Sequence, residues 1–196
     1  MDNFMMALIA SIFTSNVLLT QFLGICPVLG VSKSWNRVYG LSLTAVIVMV
    51  PSLILAYSFE TLVILPLEIT YLSFLIHGVM VVVLMNLLEN LLRTFAKKLF
   101  VFVQPFFPLL YLNSLVIGAI LALIQNELSF GAMLGYALGA PIGFAMIFIA
   151  FSAIRERILL HNRVPRSFQG SAIALLILAF IAMAMMAFTG LVSFRC

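Results

Sequence analysis

Of 196 residues, 65% are hydrophobic and only 8% are charged, far from the roughly one-quarter charged that soluble domains carry. That balance excludes a water-soluble globular domain. The net charge of +4 sits between apolar runs rather than in a basic patch, so it implies no nucleic-acid partner, and two widely separated cysteines, Cys26 and Cys196, make no disulfide framework.

Charged residues divide the chain into uncharged runs at 3–32, 38–59, 69–88, 99–126, 128–154 and 167–194. Each is long enough for the roughly 20 residues that cross a bilayer core. The expectation is an all-α integral membrane protein with six transmembrane helices in a single membrane domain over 1–196. The start of the chain has neither a basic n-region nor a small-residue cleavage site, so Phe4 onward is expected to be a retained helix and not a signal peptide.

The first run holds Cys26 within Gln21-Phe22-Leu23-Gly24-Ile25-Cys26-Pro27-Val28-Leu29-Gly30. Pro27 lacks a backbone donor and disfavours helical geometry at the residue before it, which predicts a helix that stops at Cys26 and restarts with Pro27 in its first turn. A buried thiol is ordinarily a small hydrophobe. Beside a helix break it becomes a candidate ligand. The second span, Gly40 to Phe59, leads to Glu60 and Glu68, which bracket Leu65-Pro66 and are read as solvated charges of an outer loop.

The third span, Tyr71 to Leu92, contains His77, read as a hydrogen-bonded packing histidine, and Glu89 with Arg93 four residues on. That spacing suits a helical ion pair, while an ionisable group at membrane depth is also a candidate for an ion path. In the fourth run Pro105, Pro108 and Asn113 precede Ser114, so this helix is also expected to be broken. The fifth span, Gly131 to Ile154, ends in Arg155-Glu156-Arg157, read as an anchor at the membrane face with partner docking as a further role. In the sixth, Ser171 to Val192, Met183-Ala184-Met185-Met186 is read as packing or lipid-facing surface rather than a metal box.

Orientation follows from the basic residues. Lys33, Arg37, Arg93, Lys97, Lys98, Arg155, Arg157, Arg163 and Arg166 fall on the odd-numbered connections, whereas Arg195 alone shares the other side with Asp2, Glu60, Glu68 and Glu127. The positive-inside rule then puts both termini outside.

Cys26-Pro27-Val28-Leu29-Gly30 aligns with Ser114-Leu115-Val116-Ile117-Gly118, which makes positions 26 and 114 pseudo-symmetric. Three spans per half would invert the second copy, giving repeats of about 1–98 and 99–196. Unwound backbone at membrane depth must be shielded from lipid, so both breaks are expected to face the protein interior with half-helix N-termini aimed at a common site.

Ser15-Asn16, Phe22-Leu23-Gly24-Ile25-Cys26-Pro27, Gly30-Val31-Ser32-Lys33, the Pro108-Leu109-Leu110 to Asn113 stretch, Ile154-Arg155-Glu156-Arg157 and Phe188-Thr189-Gly190-Leu191 resemble the A subunits of Rnf-type electron-transport complexes. The equivalent E subunit of the sodium-translocating NADH:quinone reductase is similar and is kept as an alternative. The resemblance implies two inverted three-helix repeats with broken first and fourth helices, in the bacterial cytoplasmic (inner) membrane with periplasmic termini. It implies a homologous membrane subunit of opposite topology as partner, and a [2Fe–2S] cluster shared between the two. Further subunits carrying flavin and iron–sulfur centres would be linked to ferredoxin and NAD, and electron flow would drive Na⁺ or H⁺ translocation.

On this resemblance Cys26 is the first cluster ligand. The second position, a cysteine in the family pattern, is Ser114 here. Such clusters are normally held by four thiolates, so three readings stay open: Ser114 ligates iron, another group or water substitutes, or no such cluster is bound. The last corresponds to a cluster-free scaffold or ion-path subunit. No Walker loop, Rossmann glycine pattern, zinc-spaced His/Cys set or triad occurs, so the chain is expected to serve an oxidoreductase complex without a catalytic site of its own.

Overall fold

The apolar runs become long helices wherever no side chain or glycine interrupts them, because a membrane offers the backbone no partner outside the helix. In the computed structural model, residues 2–13, 16–20, 23–31, 34–67, 72–111, 113–126, 128–160 and 170–187 are described. Helices α1 (Asp2–Phe13), α2 (Val17–Thr20) and α3 (Ile25–Val31) divide the first run. Then come α4 (Trp35–Phe59), a π-helical turn (Glu60–Ile64), α5 (Leu65–Leu67) and α6 (Ser73–Phe95). The second half holds α7 (Lys97–Val103), a 3₁₀ turn (Gln104–Phe106), α8 (Phe107–Leu110), α9 (Ser114–Gln125), α10 (Phe130–Leu160) and α11 (Ser171–Met186). No strand occurs among the described residues.

Trp35–Ile64, Ser73–Phe95 and Phe130–Ile158 are each long and apolar enough to cross a membrane. Lys97–Leu110 and Ser114–Gln125 make a fourth span if the pair, bent by 72°, is counted as one. Phe4–Phe13 and Ser171–Met186 are shorter apolar helices. Glu68, Glu127, Arg163, Arg166, Arg195 and Cys196 lie outside the described residues.

In lipid, apolar burial alone does not draw helices together, so close backbone approach matters more than side-chain bulk. The contact of α1 with α10 shows this. A Cβ at Gly139 would collide with the Ser11 hydroxyl and the Leu8 carbonyl, and one at Gly143 would lie 2.6 Å from Asn16 Nδ2 and 2.9 Å from Ile12 Cα. These glycines let α1 lie directly on the backbone of α10. On the α4 side of α10, Phe144, Phe148 and Phe151 are fully buried in the same core as Leu41, Met49 and Leu53. Phe106, from the 3₁₀ turn, sits over Gly40.

At one end of the bundle Trp35 Nε1 donates to Glu156 Oε2 at 2.7 Å, so the start of α4 is tied to the last turns of α10. Beside it Arg155 is buried, and its Nη1 donates to the Leu29 carbonyl at 3.1 Å. A cation there satisfies one of the carbonyls that α3 leaves unpaired at its C-terminus. The Arg155-Glu156-Arg157 group is thus not simply a surface anchor. Arg155 and Glu156 hold the protein's own helices together, while Arg157 is exposed.

Candidate functional site

Two interruptions, one before α3 and one before α9, meet. Gly24 has φ +87°, a left-handed conformation that favours glycine, and its N–H donates to the Ser114 hydroxyl at 3.2 Å. Leu115 packs where a Gly24 side chain would stand, with its Cβ 3.0 Å from that position, and Leu23 fills the space over Gly118. The break therefore falls at Gly24, and α3 has already begun at Ile25, two residues before the restart expected at Pro27. Pro27 is accommodated because the first N–H groups of a helix have no intrahelical acceptor.

Asn113 organises the second interruption. Its backbone is extended (φ −80°, ψ 135°), its Oδ1 accepts from Leu115 N at 2.9 Å, and its Nδ2 donates to the Leu109 carbonyl at 2.9 Å. Asn16 does the same before α2, accepting from Leu18 N at 3.1 Å and donating to the Ile12 carbonyl at 3.2 Å. Each asparagine closes the helix before it and caps the one after it.

The pseudo-symmetric positions differ from expectation in which way they face. Cys26 and Ser114 are both exposed on this chain, whereas their neighbours Pro27, Val28, Leu115 and Val116 are buried. The buried face of each half-helix is taken by these apolar neighbours, which leaves thiol and hydroxyl on the outer surface of the protein. The structure brings the two sites together through the Gly24–Ser114 bond, two residues from the thiol. Among the described residues no group of three or more His, Cys, Asp and Glu could hold a metal ion within this chain.

Glu89 and Arg93 are not paired. The Glu89 carboxylate is instead met by Tyr111, whose hydroxyl donates to Oε2 at 2.8 Å and also lies 3.2 Å from Asn86 Oδ1. Arg93 is exposed. Helical spacing permitted the ion pair, but the neutral partner from the second interruption is the one that reaches the half-buried carboxylate. Tyr111 escaped the sequence reading. The available signal was a phenol amid apolar residues three positions before Ser114, since such a hydroxyl seeks a partner.

Glu60, expected in a solvated loop, is instead buried at 7% exposure, because the π-helical turn carries the α4 helix on past Phe59. Ser73 Oγ donates to Glu60 Oε2 at 3.1 Å, and His77 Nε2 lies 3.7 Å from the same oxygen. His77 is buried and hydrogen-bonded, as the sequence implied.

Bilayer-length helices, one strongly bent helix pair and two interruptions that meet define a multi-helix integral membrane protein with a site built on broken helices. A family model described as "Rnf-Nqr subunit, membrane protein" matches residues 4–192. The chain is similar to the A subunit of the ion-translocating oxidoreductase complex of Pseudoalteromonas translucida (strain TAC 125), with 34% identity over 99% of this chain and 100% of that protein. Proteins of the same name from Vibrio atlanticus (strain LGP32) and Glaesserella parasuis serovar 5 (strain SH0165) are each 32% identical over 98% of this chain and at least 99% of their own length. The chain belongs to the Rnf-Nqr family of membrane subunits.

Proposed function

We propose that this chain is the A-type membrane subunit of an Rnf-type, ferredoxin- and NAD-linked electron-transport complex that translocates ions across the bacterial inner membrane. In this reading it spans the bilayer six times as two inverted three-helix repeats, about 1–98 and 99–196, with both termini periplasmic. It pairs with a homologous subunit of opposite topology, and further subunits supply flavin and iron–sulfur centres. The names of its relatives favour the A type over the E subunit of the sodium-translocating NADH:quinone reductase. The chain carries no catalytic site and serves in electron relay and scaffolding.

The observation that supports a relay is the junction of the two interruptions, Gly24 N–H to Ser114 Oγ, beside an exposed thiol. A [2Fe–2S] cluster shared with the partner would supply one-electron redox chemistry at this surface. Cys26 fits such a group because it offers an accessible sulfur near the start of α3. Ser114 fits less well: its hydroxyl accepts from Gly24 N–H and lies 3.4 Å from Asn113 Oδ1, the environment of a neutral hydroxyl rather than an alkoxide. This chain therefore contributes one thiolate, with Ser114 holding the neighbouring turn, and the remaining ligands must come from the partner. The exposed face at Cys26 and Ser114 is the surface the partner would cover, shielding the unwound backbone from lipid.

Glu89 belongs to the same reading as an ion-path group. Its hydrogen bond to Tyr111 links it to the interruption that carries Ser114. A second reading, a cluster-free scaffold or ion-path subunit, is favoured by the hydrogen bonding of Ser114 itself. Iron anomalous scattering from the purified complex, compared between wild type and Cys26→Ala, separates the two. Iron at the Cys26 surface that disappears in the variant supports the relay. An intact wild-type complex without iron there leaves the scaffold.

A further inference from the structure

Away from the two interruptions, Glu60, Ser73 and His77 form a buried polar cluster where the end of α4 meets the start of α6. It lies at the end of α4 opposite the Trp35–Glu156 contact. His77 Nδ1 is 2.7 Å from the Ser73 carbonyl, an oxygen that can only accept, so Nδ1 carries a hydrogen. Nε2 faces the Ala56 carbonyl at 3.4 Å and Glu60 Oε2 at 3.7 Å. A neutral ring protonated at Nδ1 would turn a lone pair toward both oxygens. It would also leave the Glu60 carboxylate as an uncompensated charge in an apolar setting.

We propose that Glu60, Ser73 and His77 form a proton-binding site. The cluster holds one proton more than a carboxylate and a neutral imidazole would, carried at Nε2 and facing Glu60 and the Ala56 carbonyl. Loading transfers a proton from water at this end of the bundle to Nε2, and unloading returns it. Ser73 steadies the acceptor by donating its hydroxyl to Glu60 Oε2 at 3.1 Å. The π-helical turn begins at Glu60, where the Leu65 N–H reaches the Glu60 carbonyl, and such turns often mark functional positions.

The nearby Ser58 and Thr61 hydroxyls donate to carbonyls of their own helix, and Tyr57 packs its ring against Phe130. Among the described residues, no Lys, Arg or second acidic group forms an ion pair with Glu60 or His77.

The chain has two histidines, so the full-length H161Q variant, ¹⁵N-labelled at histidine and held in lipid nanodiscs, reports on His77 alone. Nuclear magnetic resonance of the folded protein at neutral pH should show both ring nitrogens protonated. In folded E60Q the Nε2 proton should be absent at the same pH, because the neighbouring negative charge is gone. If E60Q does not fold, the protonation of the wild-type ring at neutral pH decides. A neutral wild-type ring at neutral pH overturns the site, as does an Nε2 proton retained in folded E60Q. No iron is read in this experiment, so its outcome is separate from that of the electron-relay proposal.

Discussion

Before α3 the chain turns through Gly24 at φ +87°, and before α9 it turns through Asn113 in an extended conformation that any residue adopts. The first turn is fixed by backbone geometry and by Leu115 pressed against the missing side chain, the second by two side-chain hydrogen bonds. They also differ in what they leave at the surface. The first leaves a thiol, while the second leaves a hydroxyl that receives the Gly24 N–H. Similar interruptions can thus divide the labour, with one presenting a reactive atom and the other holding its neighbour's backbone.

The largest effect should come from Gly24→Ala. The left-handed conformation alone costs about 1–2 kcal/mol for a residue with a Cβ, and contact with Leu115 adds to it. Denaturant unfolding in mixed micelles should show a clearly lowered midpoint, and an unchanged midpoint would contradict the described turn. Asn113→Ala should cost about 1 kcal/mol through loss of the helix cap, while Asn113→Asp should recover most of it. Equal losses in the two variants would mean that the cap is not what Asn113 provides.

Tyr111→Phe removes only the hydroxyl. It should lower stability by about 1 kcal/mol or less and, on the ion-path reading, change ion transport by the assembled complex more than its electron transfer. Proportional loss of both rates would count against that role for Glu89. Ser114→Cys makes the two interruptions chemically alike. A thiol is a weaker acceptor for the Gly24 N–H, so stability should fall by about 1 kcal/mol or less, and iron content should rise or hold while the redox spectrum changes. Indifference of the spectrum would place Ser114 outside any metal's coordination sphere.

That the chain is an all-helical membrane protein was legible because apolar runs reflect the bilayer, a solvent that acts on every residue alike. The interruptions were legible as regions but not to the residue: Cys26-Pro27 drew attention, yet the positive φ needed glycine two positions earlier. Glu60 was misread because a charge was taken to end the membrane segment. In the structure the helix continues, and partners 13 and 17 residues away, Ser73 and His77, bury it. Glu89 illustrates the converse, since the four-residue spacing to Arg93 advertised a pair that the Tyr111 hydroxyl supplanted. Local spacing reports what a helix permits, whereas these outcomes were set between helices.

The seat of α1 on Gly139 and Gly143 of α10 also bears on biogenesis. More than 100 residues separate Phe13 from Phe130, so at about 5–20 residues per second the first helix leaves the ribosome roughly 6 to 25 s before its docking groove exists. During that interval Ser11 and Asn16 have no α10 backbone against which to pack. The groove that receives α1 is thus completed only when the fifth apolar run arrives.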